Sequence, residues 1–360
     1  MKPIARSVAR GIFLPFAALI LFSVYQRTGA NGAIDSYYTN GISKAILLVL
    51  SALTSWLPFS LAEVFVLGIV LLFIMFFVSG IRSVMKGTDR IRALTRITDL
   101  IALLVIGFLL IWGFNYRALG LSAAVGISPV QGDAVQLKRL GLDLVEQAKT
   151  ERALTGLKDT EVFHYTGDLH QASLAAYETM AEDYPAFLQP KGRVKPLATS
   201  RWFSQMGISG IFFPYTGEAN YNKDQPMLLI PSTILHELAH LKGIAREEEA
   251  NFMAYFASRS SDDMALRYSS TMLALINTMN RLTAQDPAAA REVYERYSEG
   301  MLLDLADYDA YWDRFEGPIQ EQAEAVNDQY LKSNGQETGV QSYEDMVSFL
   351  LDFWEKDNRN

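Results

Sequence analysis

Long runs of apolar residues without a charge dominate the first third of the chain. Val64–Ile81 is such a run of 18 residues, and Gly11–Tyr25 and Leu100–Phe114 are similar runs of 15 residues each. Eighteen helical residues rise about 27 Å, close to the thickness of the hydrocarbon core of a bilayer. The pattern predicts three membrane-spanning helices, at about residues 11–26, 62–81 and 99–116.

Two apolar segments of this region have other interpretations. Gly11–Tyr25 follows a basic start and precedes Thr28-Gly-Ala30, a pattern that is also typical of a cleaved signal peptide. We favour an uncleaved anchor. A further apolar stretch at residues 45–57 ends at Pro58 and is too short for a span, so it predicts an interfacial or re-entrant helix.

From about residue 120 the pattern becomes polar and mostly helical. Lys191–Pro196 predicts a turn region, and the apolar, glycine-containing segment near Ile208–Phe213 predicts a strand, with Pro214 marking an edge or an end. Apolar residues at helical spacing predict helices at Gln136–Arg152, Gln171–Asp183, 262–283, 287–331 and Ser342–Lys356.

Charge divides the chain in the same way. Residues 1–118 carry 11 basic and 4 acidic residues, a net charge of +7, whereas residues 119–360 carry 21 basic and 36 acidic residues, a net charge of −15. We therefore predict a membrane anchor at 1–118 and a separate domain at 119–360. The basic loop at 82–98 predicts a cytoplasmic loop and N-terminus, which places the second domain outside the cytoplasm. The acidic balance argues against a nucleic-acid partner.

The chain has no cysteine and only four histidines. This composition excludes disulfides, thiol nucleophiles and cysteine-bound metals, so any metal site must use histidine and carboxylate side chains. His236 and His240 stand four residues apart in the sequence His236-Glu237-Leu-Ala-His240, and both imidazoles therefore project from one helix face. The other two, His164 and His170, are expected to be surface or core histidines rather than ligands.

The residues after this motif supply a third ligand for zinc. Gly243 predicts the end of the first helix, and Glu247 and Asn251 lie one turn apart on a second helix. Glu247 can then complete a zinc site with both histidines, while Asn251 can hydrogen-bond a ligand side chain. Glu249 remains the rival third ligand. Glu237 flanks the metal face and can take a proton from water as the general base.

The motif resembles that of the gluzincin branch of HExxH zinc metallopeptidases, in which the glutamate of a Glu-x-x-Ala-Asp/Asn sequence is the third ligand. Glu247-Glu-Glu-Ala-Asn251 matches that sequence, although the spacing of six residues between His240 and Glu247 is closer to that of metzincins. The resemblance implies that His236, His240 and Glu247 bind Zn²⁺ and that Glu237 is the catalytic base.

A second resemblance covers nearly the whole chain. The apolar N-terminal third, Gly207–Asn220, the histidine motif and Tyr330–Gly335 resemble a bacterial membrane-protein family known only as domain of unknown function 3810. The apolar pattern and the resemblances together predict a mainly α fold: three N-terminal transmembrane helices and a mostly helical zincin-like domain with a small antiparallel sheet. The strand near Ile208–Phe213 would be the edge strand beside the active-site helix.

The sequence thus predicts a zinc metallopeptidase that crosses the cell membrane several times and hydrolyses peptide bonds outside the cytoplasm. Its expected partners are a peptide or protein substrate and the lipid bilayer. The alternative is a membrane sensor or scaffold in which zinc is structural. A hydrogen-bond donor for the transition state is also expected, and four residues are candidates for it: Arg267, Tyr268, Tyr330 and Tyr343.

Overall fold

The fold of the protein is seen in a computed structural model that describes residues 2–86 and 90–358, with side chains from 13 to 86 and from 95 to 358. Residues 87–89, inside the predicted basic loop, lie outside the described residues. Within these residues the helices are α1 (Lys2–Arg27), α2 (Lys44–Thr54), α3 (Leu61–Met85), α4 (Arg90–Ile111), α5 (Leu121–Ala124), α6 (Ala134–Leu154), α7 (Leu169–Asp183), α8 (Ser200–Gln205), α9 (Ile230–Leu241), α10 (Glu247–Arg259), α11 (Met264–Gln285), α12 (Pro287–Tyr294), α13 (Glu299–Trp312), α14 (Pro318–Ser333) and α15 (Met346–Asp357).

Three strands, β1 (Lys195–Pro196), β2 (Gly210–Phe213) and β3 (Glu218–Tyr221), form one sheet in the order β1-β3-β2. The mainly helical class is confirmed, but the prediction of an antiparallel sheet is wrong in part. β2 pairs with β3 antiparallel, whereas β1 pairs with β3 parallel, so the sheet is mixed. The parallel strand arises in Lys191–Pro196, for which the sequence predicted only a turn, because two residues are too few for a readable alternation.

The N-terminal helices α1, α3 and α4 pack side by side and expose many large apolar side chains. Of the helices in the described part of the chain, only α3 has both the length and the apolarity to cross a membrane. The expectation of three such helices is therefore not supported. The apolar part of α1, Phe13–Arg27, is shorter, and α4 begins with several arginines and ends at Ile111, five residues before the predicted end of the third span. The apolar segment at 45–57 forms α2, which ends at Thr54.

The hydrophobic core is continuous across the predicted boundary at residue 118. Trp112 and Tyr116, which follow α4, belong to the same buried cluster as Leu121 and the helices beyond it. All twelve residues of α9 are buried at the centre of this cluster. A helix that is apolar around most of its circumference has no solvent face, so it must be packed on every side.

The single helix predicted for 287–331 is wrong, because the structure divides that region into α12, α13 and α14. Ser298 caps α13 by accepting a hydrogen bond from the N–H of Met301, and Gly317 precedes the proline that begins α14. A capping serine and a Gly-Pro pair both favour a new helix start over continuation. The strand predicted near Ile208–Phe213 is confirmed as β2, at the edge of the sheet and against α9.

Candidate metal centre

A sharp turn between α9 and α10 brings the motif residues together. Pro231 lies in the first turn of α9, where its missing N–H leaves no helical bond unmade. The helix ends at Leu241. Gly243, two residues later, has a φ of +100° that suits glycine, and the N–H of Ile244 bonds back to the carbonyl of Ala239. α10 then begins at Glu247, so that its first turn points at the end of α9.

The side chains of His236, His240 and Glu247 converge at this turn. Their candidate ligand atoms all lie within 4.8 Å of one another, and all three residues are buried. Nε2 of His236 lies 3.0 Å from Nε2 of His240, and Oε2 of Glu247 lies 3.1 Å from the first and 3.4 Å from the second. The structure therefore groups the three residues that the spacing singled out.

Hydrogen bonds on the far side of each ring determine which nitrogens face the cluster with a lone pair. Nδ1 of His240 lies 2.7 Å from the carbonyl oxygen of Ile244, which can only accept. Nδ1 of His236 lies 2.8 Å from Oδ1 of Asn251, and Nδ2 of Asn251 donates to the carbonyl of Tyr343, so this oxygen is also an acceptor. Both Nδ1 atoms thus donate, and in the neutral rings both Nε2 atoms present lone pairs to each other.

Two lone pairs 3.0 Å apart beside a carboxylate repel one another unless a cation or a proton lies between them. A tetrahedral zinc ion with ligands at about 2.0–2.1 Å separates its ligand atoms by roughly 3.3 Å. The separations between the two Nε2 atoms and Oε2 of Glu247, 3.0, 3.1 and 3.4 Å, are close to that spacing. The donor set of two imidazoles and one carboxylate is therefore suited to zinc in both chemistry and size.

Glu237 lies beside the cluster without belonging to it. The backbone N–H of Phe212 in β2 faces its carboxylate, and Oε2 of Glu237 is buried without a hydrogen-bond partner among the residues that the structure describes. A Cβ atom added at Gly210 would lie 2.5 Å from Oε1 of Glu237, so only glycine leaves room for this carboxylate against the strand. A buried carboxylate oxygen without a partner is costly and indicates a functional position.

Burial and the neighbouring charges shift the ionisation of all four groups. Burial raises the pKa of Glu237 to about 8. Burial opposes the charged forms of His240 and Glu247, but their mutual attraction outweighs it, raising the pKa of His240 to about 9 and holding that of Glu247 far below its usual range. Burial lowers the pKa of His236. Without a metal, the cluster thus holds a proton between His240 and Glu247.

Aromatic side chains surround the cluster. The rings of Trp112 and Phe212 lie 6.1 and 6.3 Å from that of His240, and the ring of Tyr343 stacks on His236 at 6.4 Å. The hydroxyls of Tyr116 and Tyr330 lie 3.1 Å apart. The sequence around Trp112 and Tyr116 gives no sign of contacts with a motif more than 100 residues later.

The other candidates from the sequence lie elsewhere. Arg246 pairs with Glu249 at 2.9 Å, and Glu249 also accepts from the N–H of Leu121, so it is not a member of the cluster. Of the four hydrogen-bond donors considered, Tyr330 and Tyr343 lie near the cluster. The other two are engaged in separate buried networks: Arg267 pairs with Glu151, and Tyr268 donates to Asp304. His164 is exposed and His170 is half-buried, both outside the cluster.

A family model described as protein of unknown function (DUF3810) matches residues 38–351, which include every member of the cluster. No curated protein and no solved structure matches the chain.

Proposed function

We propose that this chain, which belongs to the DUF3810 family, is a membrane-anchored zinc metallopeptidase that hydrolyses peptide bonds in peptides or proteins. His236, His240 and Glu247 would hold the zinc, and Glu237 would be the general base. The observation that carries the proposal is the pair of facing Nε2 atoms 3.0 Å apart, each oriented by an acceptor on its Nδ1, beside a buried carboxylate that is not a ligand.

Zinc bound there would polarise the peptide carbonyl and activate a water molecule. Glu237 takes the proton from that water and passes it to the leaving amine. We assign Tyr343, whose ring stacks on that of His236, as the hydroxyl that would stabilise the developing negative charge.

The N-terminal helices support membrane anchoring. α3 is 25 residues long and none of its apolar window is buried. We propose that α1 and α4 cross with it, since both pack in the same bundle and expose residues such as Phe13, Leu19 and Leu103. The basic residues at 82–98, where α3 ends and α4 begins, would then face the cytoplasm, and the zinc site would face the opposite side.

Metal analysis and chelation test this function. Purified full-length protein is expected to contain about one zinc per chain, to lose peptide-library cleavage on chelation and to regain it with added zinc. His240→Ala should lose the zinc, whereas the control substitution His164→Ala, at an exposed histidine outside the cluster, should keep it. Wild-type cleavage that persists after all zinc is removed would contradict the proposal.

One observation favours a second function, a sensor or scaffold with a structural zinc. The members of the cluster are 7%, 7% and 8% exposed, which is typical of a closed site. Structural zinc sites, however, have four protein ligands. In the described part of the chain no fourth histidine, cysteine or carboxylate joins the group. An exchangeable water on the bound zinc supports the peptidase, and a fourth protein ligand supports the scaffold.

A further inference from the structure

The candidate metal centre lies directly against the ends of the membrane helices. Trp112 is the first residue after α4, and its ring contacts His240. Tyr116, one turn further on, is also buried, and its hydroxyl lies 3.1 Å from that of Tyr330. Along the chain, 120 residues separate His236 from residue 116, the predicted end of the last span. In the fold, the end of α4 and the metal centre nevertheless lie side by side.

The turn between β2 and β3 extends into the space between α3 and α4. The ring of Tyr215 stacks on Phe65 with centroids 5.3 Å apart, and its hydroxyl donates to the carbonyl of Leu104. Leu104 lies seven residues before the end of α4, which corresponds to a depth of about 10 Å along the helix. Gly107 allows this approach, since an added Cβ there would lie 3.1 Å from the Tyr215 ring.

β2 therefore connects the catalytic groups with the membrane helices. The strand begins at Gly210, which contacts Glu237, and ends at Phe213, whose ring packs against Phe65 at 5.5 Å. It is paired with β3 on one side only, and the N–H of Phe212 faces Glu237. An extended segment added along this edge would run from Glu237 toward α3.

Polar contacts, buried at Glu218 and exposed at Glu63, fix the position of the site relative to the helix bundle. Glu218 of β3 accepts hydrogen bonds from the N–H groups of Leu61 and Ala62 at the start of α3, and it pairs with the buried Lys195. Glu63 in the first turn of α3 accepts from the N–H groups of Ala198 and Thr199. The catalytic groups thus cannot move away from the ends of the membrane helices without breaking the buried hydrogen bonds and ion pair of Glu218.

From this placement we propose that the substrates are juxtamembrane segments of other membrane-inserted polypeptides, cut within about ten residues of the bilayer, rather than freely soluble chains. The inference rests on the proposed peptidase function and on α3 and α4 lying in the membrane. An extended chain advances about 3.3 Å per residue, so ten residues reach about 33 Å from the membrane boundary. That length is enough to cover the path from the α3 end of β2 to Glu237.

The test uses full-length protein in liposomes together with an anchored substrate. The substrate is a single transmembrane helix followed by a 40-residue flexible stalk of randomised sequence, on the same side as the metal centre, and cut positions are mapped by mass spectrometry. The same stalk pool without the helix is the matched soluble substrate. Zinc-loaded Glu237→Gln protein controls for contaminating proteases.

We expect cuts to cluster in the ten stalk residues nearest the membrane. The effective concentration of a tethered segment falls with about the −3/2 power of its distance along the chain, so a site 40 residues away should be cut roughly 20-fold more slowly than one 5 residues away. Cuts spread evenly along the stalk, a preference for its distal part, or equally fast cleavage of the soluble pool would overturn the substrate class and leave the peptidase function standing. No cleavage of either pool by zinc-loaded protein would overturn the peptidase function itself.

Discussion

Gly210→Ala tests the placement of Glu237 against β2 without altering a metal ligand. An added methyl group would lie 2.5 Å from Oε1 of Glu237 and 2.7 Å from Cγ2 of Thr233, whereas ordinary contact begins at 3.4 Å. The carboxylate must therefore move by about 0.9 Å, the difference between 3.4 and 2.5 Å. The φ angle of Gly210 is not positive, so the backbone itself accepts alanine.

A misplacement of about 1 Å at a catalytic group lowers the rate by roughly 100-fold. We expect Gly210→Ala to lower kcat for peptide cleavage by about that factor, to keep its zinc, and to lose about 1–3 kcal/mol of unfolding free energy through overpacking. Gly29→Ala is the control, because no atom lies within 4 Å of its added Cβ. Full activity in zinc-loaded Gly210→Ala would refute the role given to Glu237, and loss of zinc in parallel with activity would show that the methyl group disturbs the ligands instead.

Three further predictions concern the metal and the membrane contacts. Asn251→Ala removes the acceptor that orients His236 and should weaken zinc binding by about 10–100-fold in a chelator competition, while Asn280→Ala, at an exposed asparagine bond, should not. Glu247 raises the pKa of His240 to about 9 against the effect of burial. The proton shared by this pair therefore stabilises the zinc-free fold fully below pH 6.5, and this stabilisation is lost as the pH rises through about 9. Zinc must displace that proton, and its affinity by titration calorimetry should rise about tenfold per pH unit between pH 7 and 9; a flat profile would contradict the pairing. Glu218→Gln leaves Lys195 buried without its partner and should lower the unfolding free energy by about 3–5 kcal/mol in thermal melts, whereas Arg291→Ala, which breaks an exposed pair, should change it by less than about 0.5 kcal/mol.

The local parts of the site could be predicted from the sequence because they follow from helical spacing. Two histidines four residues apart share one face of α9, and Glu247 and Asn251 share one face of α10. Gly243 marks the turn between the two helices, and its φ of +100° explains why glycine stands there. The choice of Glu247 over Glu249 depended on the direction in which α10 leaves this turn, which spacing alone did not determine.

The contacts around the site join residues that are far apart in the sequence, and no periodic pattern of apolar residues predicts them. In the sequence Trp112 and Tyr116 look like ordinary aromatic residues at the end of an apolar helix, but the fold places Trp112 beside His240 and the Tyr116 hydroxyl beside that of Tyr330. β1 is only two residues long and pairs with a strand more than twenty residues away. The division at residue 118 is clear in charge and hydropathy, yet the core crosses it, because apolar side chains at the end of α4 pack into the same cluster as α9.

The central claim is that a zinc held by His236, His240 and Glu247 acts with Glu237 to cut peptide bonds. Its most direct test compares the wild type with Glu237→Gln at equal zinc content, using the anchored substrate described above and the rate of appearance of cut products. The account predicts about one zinc per chain in both proteins and a loss of cleavage of at least about 100-fold in the variant. Cleavage by zinc-loaded Glu237→Gln at the wild-type rate would contradict it.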